Sequence, residues 1–260
     1  MSDRLDPSIQ DLAYAFKDGE LSSDVLMRAI MGHGSWMFRA GLEGGSAFAL
    51  LRAPSGGQIL EVFSDRHALE RFGGAYSDND ASGASFTWDS LPGYKLFARL
   101  PVGEVDRVNV DQGSPYTFHF TRDQLAPLMR WAHIVATEFA LADPRSVGDA
   151  TRVLAKHPAY YLVLEASDDA HAIVLAPDTE GRALAAIFTA PDRAEEFVAA
   201  VGEHASGELT AVQYTPKDLL AVLRTMQLDG LVFNPMTRAT PRALHVSVID
   251  VLTQHLGTSG

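Results

Sequence analysis

The chain contains no cysteine, so a disulfide framework, a thiolate metal site and a cysteine nucleophile are excluded by inventory. Long hydrophobic runs are missing as well. The most apolar stretches, "AYYLVLEA" and "LAAIF", fall far short of the ~20 residues a membrane helix needs. Positive charge is scarce: 21 Lys and Arg stand against 33 Asp and Glu, a formal charge of −12. Such a chain is repelled on average by nucleic acid and by anionic membrane surfaces. The opening "MSDRLDPSIQDLAYAFKDGE" is acidic and polar where a secretion signal would be basic and then apolar. These features read as a cytoplasmic protein whose partners are neither nucleic acid nor membrane.

What is present is an ordinary globular composition, with 260 residues of which 47% are hydrophobic and 21% charged. That is enough chain for one large domain or two small ones. An internal repeat favours two. "SDVLMRAIMGHGSWMFRAGLE" matches "GDATRVLAKHPAYYLVLEAS", each a helix-like stretch, a His and an aromatic strand. "ILEVFSDRHALERF" matches "LAAIFTAPDRAEEF", an apolar strand ending in Phe, then Ser or Thr, then a charged amphipathic segment closed by Phe. Phe63 and Phe188 stand 125 residues apart, and so do Asn109 and Asn234. The pattern divides the chain into an N-terminal extension, 1–21, a first unit, 22–142, and a second, 143–260, joined near "LADPRSVGD".

Periodicity gives each unit the same script. In the second, "YYLVLEA", "AIVLA" and "LAAIF" read as a meander of β-strands parted by the turn formers "SDDA" and "PDTEG". Thr189 stands as an N-cap, with Pro191 and Asp192 in the first turn of a helix running to about Gly202. "ELTAVQY" alternates as a strand, and Thr215 with Pro216 and Asp218 opens the helix "KDLLAVLRTM". "GLVFN", "RALHVS" and the helix "VIDVLTQHL" complete the unit. The expected class is α/β (α+β): two tandem, pseudo-symmetric units, each a mixed, mainly antiparallel sheet packed with helices.

The segments "IFTAPDRAEEFV" and "KDLLAVLRTMQLDGLVFNP" make the second unit similar to the N-terminal domain of the SseB family. Phe188, Thr189, Phe197, Leu220, Asn234 and Pro235 carry the resemblance, which is clear over about 158–255 and faint over 34–140. In the first unit Asn109 is kept, but Val110 stands where proline would be. The resemblance implies a non-catalytic protein-interaction or regulatory module, in secretion or toxin-immunity settings, and it implies no catalytic residue and no cofactor.

The corner "NPMTRATPR" is the candidate partner-binding surface. Asn tolerates left-handed backbone angles and Pro gives no N–H to a sheet, so Asn234 and Pro235 suit the end of a strand with no ligand at all. Beside them, Met236 supplies an adaptable apolar contact and Arg238 and Arg242 supply charge. The nine histidines are scattered without an HExxH or HxH pair, so none announces a metal site. His33 and His157 occupy matching repeat positions, as do His119 and His245. In "DNDASGASFTWD", Asp78, Asp80 and Asp89 fall at positions 1, 3 and 12 of a calcium loop. Position 12 is Asp where a bidentate Glu is usual and position 8 is Ser85 where an apolar residue packs, so the segment reads as an acidic loop in preference to a calcium site. Neither G-x-S-x-G nor S-x-x-K is present, and the glycine-rich stretches lack the spacing of a phosphate cradle. The alternatives to an interaction module are a small-molecule or metal-dependent enzyme with its site between the units, and a calcium-binding regulator. The extension "IQDLAYAF", with Tyr14 and Phe16, is expected to dock on the body or on a partner.

Overall fold

A computed structural model of the chain describes residues 8–41, 48–54, 56–72, 86–115, 117–142, 153–167, 170–176, 180–235, 243–245 and 249. It divides into two compact units, Met1–Val135 and Ala136–Gly260. The division falls inside a helix, ahead of the "LADPRSVGD" stretch whose residues from 143 onward lie outside the described ones. Helices combine with mixed and antiparallel sheets in both units, so the class is α/β.

The first unit opens with α1 (Ile9–Lys17), started by a capping box in which the Ser8 hydroxyl accepts from Asp11 N–H while the Asp11 carboxylate accepts from Ser8 N–H. Ile9 joins the core of this unit and Leu12 packs against it, so the extension docks on the body. Helix α2 (Ser23–Gly32), capped by Ser22, turns Leu26, Ile30 and Met31 inward. Strands β1 (Trp36–Gly41), β2 (Leu51–Arg52) and β3 (Gln58–Phe63) lead into helix α3 (Arg66–Phe72). Strand β4 (Phe86–Leu91), helix α4 (Gly93–Phe97), β5 (Arg107–Val110), β6 (Phe118–Thr121) and the long α5 (Arg122–Ala142) follow. The strand order is β4-β1-β3-β5-β6, with β2 on β3, and β3 and β5 run parallel. Alternation along the strands sends Trp36, Phe38, Leu60, Val62, Val108 and Val110 to one face, where α2, α4 and the first turns of α5 close the core.

The second unit holds β7 (Tyr160–Ser167), β8 (Ala170–Ile173), β9 (Leu184–Ile187), α6 (Pro191–Val201), β10 (Leu209–Tyr214), α7 (Pro216–Arg224), β11 (Gly230–Phe233) and β12 (Ala243–His245). Strand β7 lies between β10 and β8, and β11 lies between β12 and a parallel β9. Reciprocal hydrogen bonds between Tyr161 and Phe188, 2.9 Å each, bring β7 beside the end of β9. The unit thus holds two three-stranded sheets, β10-β7-β8 and β12-β11-β9, joined by isolated bridges. Apolar residues fill both faces: Tyr160, Leu162, Ile187, Leu220, Leu223 and Phe233 on one, and Tyr161, Val163, Ala186, Phe188, Phe197 and Val232 on the other. The meander is present, since β7 pairs antiparallel with β8 and Leu175 bridges Ala185.

Two local expectations need correction. The N-cap of α6 is Ala190, with no side-chain cap bond; Thr189, one residue earlier, is fully buried and points elsewhere. "FALLRA" forms a strand over only Leu51–Arg52. Thr215 caps α7 as expected, accepting from Asp218 N–H. Of the terminal segment "VIDVLTQHL", only Ile249 is described, buried in the second unit's core.

Candidate functional site

The corner is built from the ends of two parallel strands. Strand β9 ends at Ile187 and β11 at Phe233, and the next residue of β11's chain, Asn234, takes a left-handed backbone with φ 47°. Asparagine adopts that conformation at less cost than most residues, because its short side chain bonds locally. Here the side chain is fully engaged: its Oδ1 accepts from Thr189 N–H at 3.1 Å and its Nδ2 donates to Thr189 Oγ1 at 2.9 Å. Asn234 N–H donates to Ile187 C=O at 2.9 Å. Thr189 Oγ1 donates onward to Glu138 Oε1 at 2.9 Å. Above it, His157 Nε2 bonds the Thr189 carbonyl at 2.8 Å and His157 Nδ1 bonds Thr137 Oγ1 at 3.0 Å. Because a carbonyl only accepts, Nε2 carries a proton, and in the neutral ring Nδ1 then accepts from the Thr137 hydroxyl.

The first unit repeats these bonds with different side chains. Asp111, directly after β5, has φ 48°, and its N–H donates to Val62 C=O at 2.9 Å. Its Oδ1 accepts from Ser64 N–H at 2.7 Å and its Oδ2 from Ser64 Oγ at 2.8 Å. His33 Nε2 donates to the Ser64 carbonyl. Thus Ser64, Asp111 and His33 do in one unit what Thr189, Asn234 and His157 do in the other. A third donor reaches Asp111: Gln10 Nε2 of α1, at 3.4 Å. Burial pushes the Asp111 carboxyl above the usual carboxylate range; the bonds from Ser64 and Gln10 work against that, and the nearby Asp65 adds to it.

The register revises the sequence alignment. Glu61 pairs with Asn109 and Val62 with Val110, while Ala186 pairs with Val232 and Ile187 with Phe233. With Phe63 set against Phe188, the residue matching Asn234 is Asp111, and Asn109 matches Val232. The same two-residue slip separates the histidines of the closing strands: His119 pairs with Asn109, whereas His245 pairs with Gly230. The Asp of "VNVDQG" set against the Asn of "LVFNP" was the signal available in the sequence.

The expected contact residues are therefore divided. Asn234 is 6% exposed and tied into the fold by its amide, and Pro235 is half-buried. Met236, Arg238 and Arg242 lie outside the described residues, as do Asp78 and Asp80 of the candidate calcium loop. Asp89 sits on β4 opposite Phe38, its Oδ1 accepting from Ser90 N–H at 2.7 Å. Among the described residues, no three His, Asp or Glu side chains converge as a metal set. An apolar pocket under α7 is lined by Leu154, Leu219, Leu223, Leu231 and Phe233, with the Tyr160 phenol donating to Leu154 C=O at 2.6 Å. Among the described residues, its lining provides no charged group to orient a ligand. Tyr14, 59% exposed, and Phe16, 42%, sit on α1. Among the described residues, no helix is long and apolar enough to cross a membrane.

No family model matches the chain, and no curated protein matches it. Among solved structures, one match is Anabaena Tic22, described as a protein-transport protein, at 12% identity over 80% of this chain and 88% of that one, with a TM-score of 0.22. A likeness at that level carries no functional reading.

Proposed function

We propose that the chain is a non-catalytic, cytoplasmic protein-interaction module built from two SseB-like units, and that the second unit captures its partner through the stretch following Asn234. The observation that supports this reading is the lock at the base of that stretch. Asn234 is tied to Thr189 through both ends of its amide, and Val232 pairs with Ala243 where the chain re-enters the sheet. The described residues on either side, Asn234 and Ala243, thus stand in regular structure, and a binding surface with fixed flanks loses less entropy on meeting its partner. Met236, Arg238 and Arg242 in that stretch bring an adaptable apolar contact and two cations to a chain of net charge −12. That combination suits a protein partner presenting an acidic patch beside an apolar one.

The test is capture of the partner from the native organism by wild type and by Arg238→Glu/Arg242→Glu. Loss of capture with a melting temperature within about 1 °C of wild type is the expected result. Undiminished capture would remove this stretch as the contact surface.

A further inference from the structure

The sheet of the first unit and the bridged strands of the second can be set in register at Phe63 and Phe188, but they differ sharply across one face. In the first unit, Arg39 of β1 lies opposite Trp88 of β4, with its guanidinium carbon 5.4 Å from the indole centroid. Glu61 of β3 lies opposite Asn109 of β5. All three polar residues are buried: Arg39 is 2% exposed, Glu61 4% and Asn109 5%. Alternation puts them on the α3 side of the sheet, with Met37, Phe63 and Trp88.

Register identifies their counterparts. Met37 pairs with Phe63 as Tyr161 bridges Phe188. Two residues along, the Arg39 carbonyl accepts from Ala49 N–H and the Val163 carbonyl from Val174 N–H, each at 2.9 Å. Val163 therefore stands for Arg39, and Ala211, which it faces, stands for Trp88. Ala186 and Val232 stand for Glu61 and Asn109. A buried Arg, Glu and Asn in one sheet thus answer to Val, Ala and Val in the other, where they are part of an apolar core under α6. The second unit shows that this fold does not require the polar set.

We infer that the Arg39, Glu61 and Asn109 set makes the two sheets incompatible, so that strands of one unit do not pair into the other unit's sheet, in the same chain or in a second copy. Two similar units on one chain carry that hazard, because every strand meets a second site of the same geometry during folding. Strand β1 placed beside β9 and β10 would set the guanidinium against the Ala186 and Ala211 positions, away from the indole of Trp88. Burying a charge among apolar neighbours alone is strongly disfavoured, whereas replacing a whole buried polar set by apolar residues of the right volume is often neutral. The set consequently discriminates between right and wrong pairings without being needed for stability.

The experiment converts the set to its counterparts, Arg39→Val/Glu61→Ala/Asn109→Val, and refolds wild type and variant from denaturant at a series of protein concentrations. Species are separated by size exclusion with light scattering. The expected outcome is a native-like variant monomer at low concentration, together with a fraction of strand-exchanged dimer several-fold above wild type that grows with concentration. A second variant, Val163→Arg/Ala186→Glu, carries the polar pair into the other sheet and is expected to raise the exchanged fraction from that side. Equal monomer yields for wild type and the first variant would overturn the inference. Failure of the first variant to fold at any concentration would also overturn it, by making the set a requirement of stability.

Discussion

Asp111 and Asn234 close equivalent strands in the same left-handed conformation, φ 48° and 47°, and each clamps the hydroxyl residue that follows the parallel neighbour. The carboxylate and the amide solve this differently. Asn234 spends its NH2 on Thr189 Oγ1, while Asp111, which only accepts when ionised, takes its bonds from Ser64 and has capacity left for Gln10 on α1.

Replacing Asp111 with Asn should transplant the second unit's solution into the first. The folded Asp111 carboxyl titrates above its unfolded value because it is buried. Between those two pKa values the folded chain holds more protons than the unfolded one, so stability falls as pH rises through that window and then levels off. Urea titrations across pH should show this slope in wild type and a flatter one in Asp111→Asn, with the variant the more stable above the window.

Removing the second lock should be costly. Asn234→Ala leaves Thr189 N–H buried without an acceptor and keeps a non-glycine residue in left-handed geometry, for an expected loss of about 2–3 kcal/mol in urea denaturation. Asn234→Gly relieves the backbone but not the lost bonds, and should fall between the two.

The two threonines before helices should behave differently. Thr215→Ala removes an exposed cap from α7 and should cost about 1 kcal/mol. Thr189→Ala strips the buried partner of both Asn234 Nδ2 and Glu138, and its loss should be larger, about 2 kcal/mol or more. Thr189→Ser should recover most of it, since the hydroxyl is restored. Equal costs for the two alanine variants would return Thr189 to a capping role.

Gly93 sits where α4 meets α2. A Cβ there would lie 2.1 Å from the Ile30 carbonyl oxygen and 2.9 Å from Trp36 Nε1, the two groups that form a 2.9 Å hydrogen bond. Gly93→Ala should therefore cost about 2–3 kcal/mol and perturb the fluorescence of Trp36, which is fully buried in wild type.

Strands and helices were legible wherever a single period governed a segment. "ILEVF" and "GLVFN" read directly as strands, and Thr215, Pro216 and Asp218 read as a helix start, because the information is local. What escaped was long-range register. The turns between Phe63 and Asp111 hold two more residues than those between Phe188 and Asn234, so matching the chain by a constant spacing put Asn109 where Asp111 belongs. Thr189 was misread for a related reason: Thr before Pro and Asp signals a cap, and only the parallel neighbour β11, more than forty residues later, brings Asn234 to claim it. Arg39 and Glu61 gave no sign of burial, since a charged residue in an alternating strand ordinarily faces water.

The division of the chain inside α5 has a practical corollary. Thr137, Glu138 and Leu141 come from the last turns of that helix and belong to the second unit, where they meet His157, Thr189 and the core around Leu220. An excised second unit begun at residue 143, where proline and glycine invite the cut, would lose the Thr137 bond to His157 Nδ1 and the Glu138 bond to the Thr189 hydroxyl. A fragment that keeps these bonds has to start no later than Ala136 and carry helical residues that composition alone would assign to its neighbour.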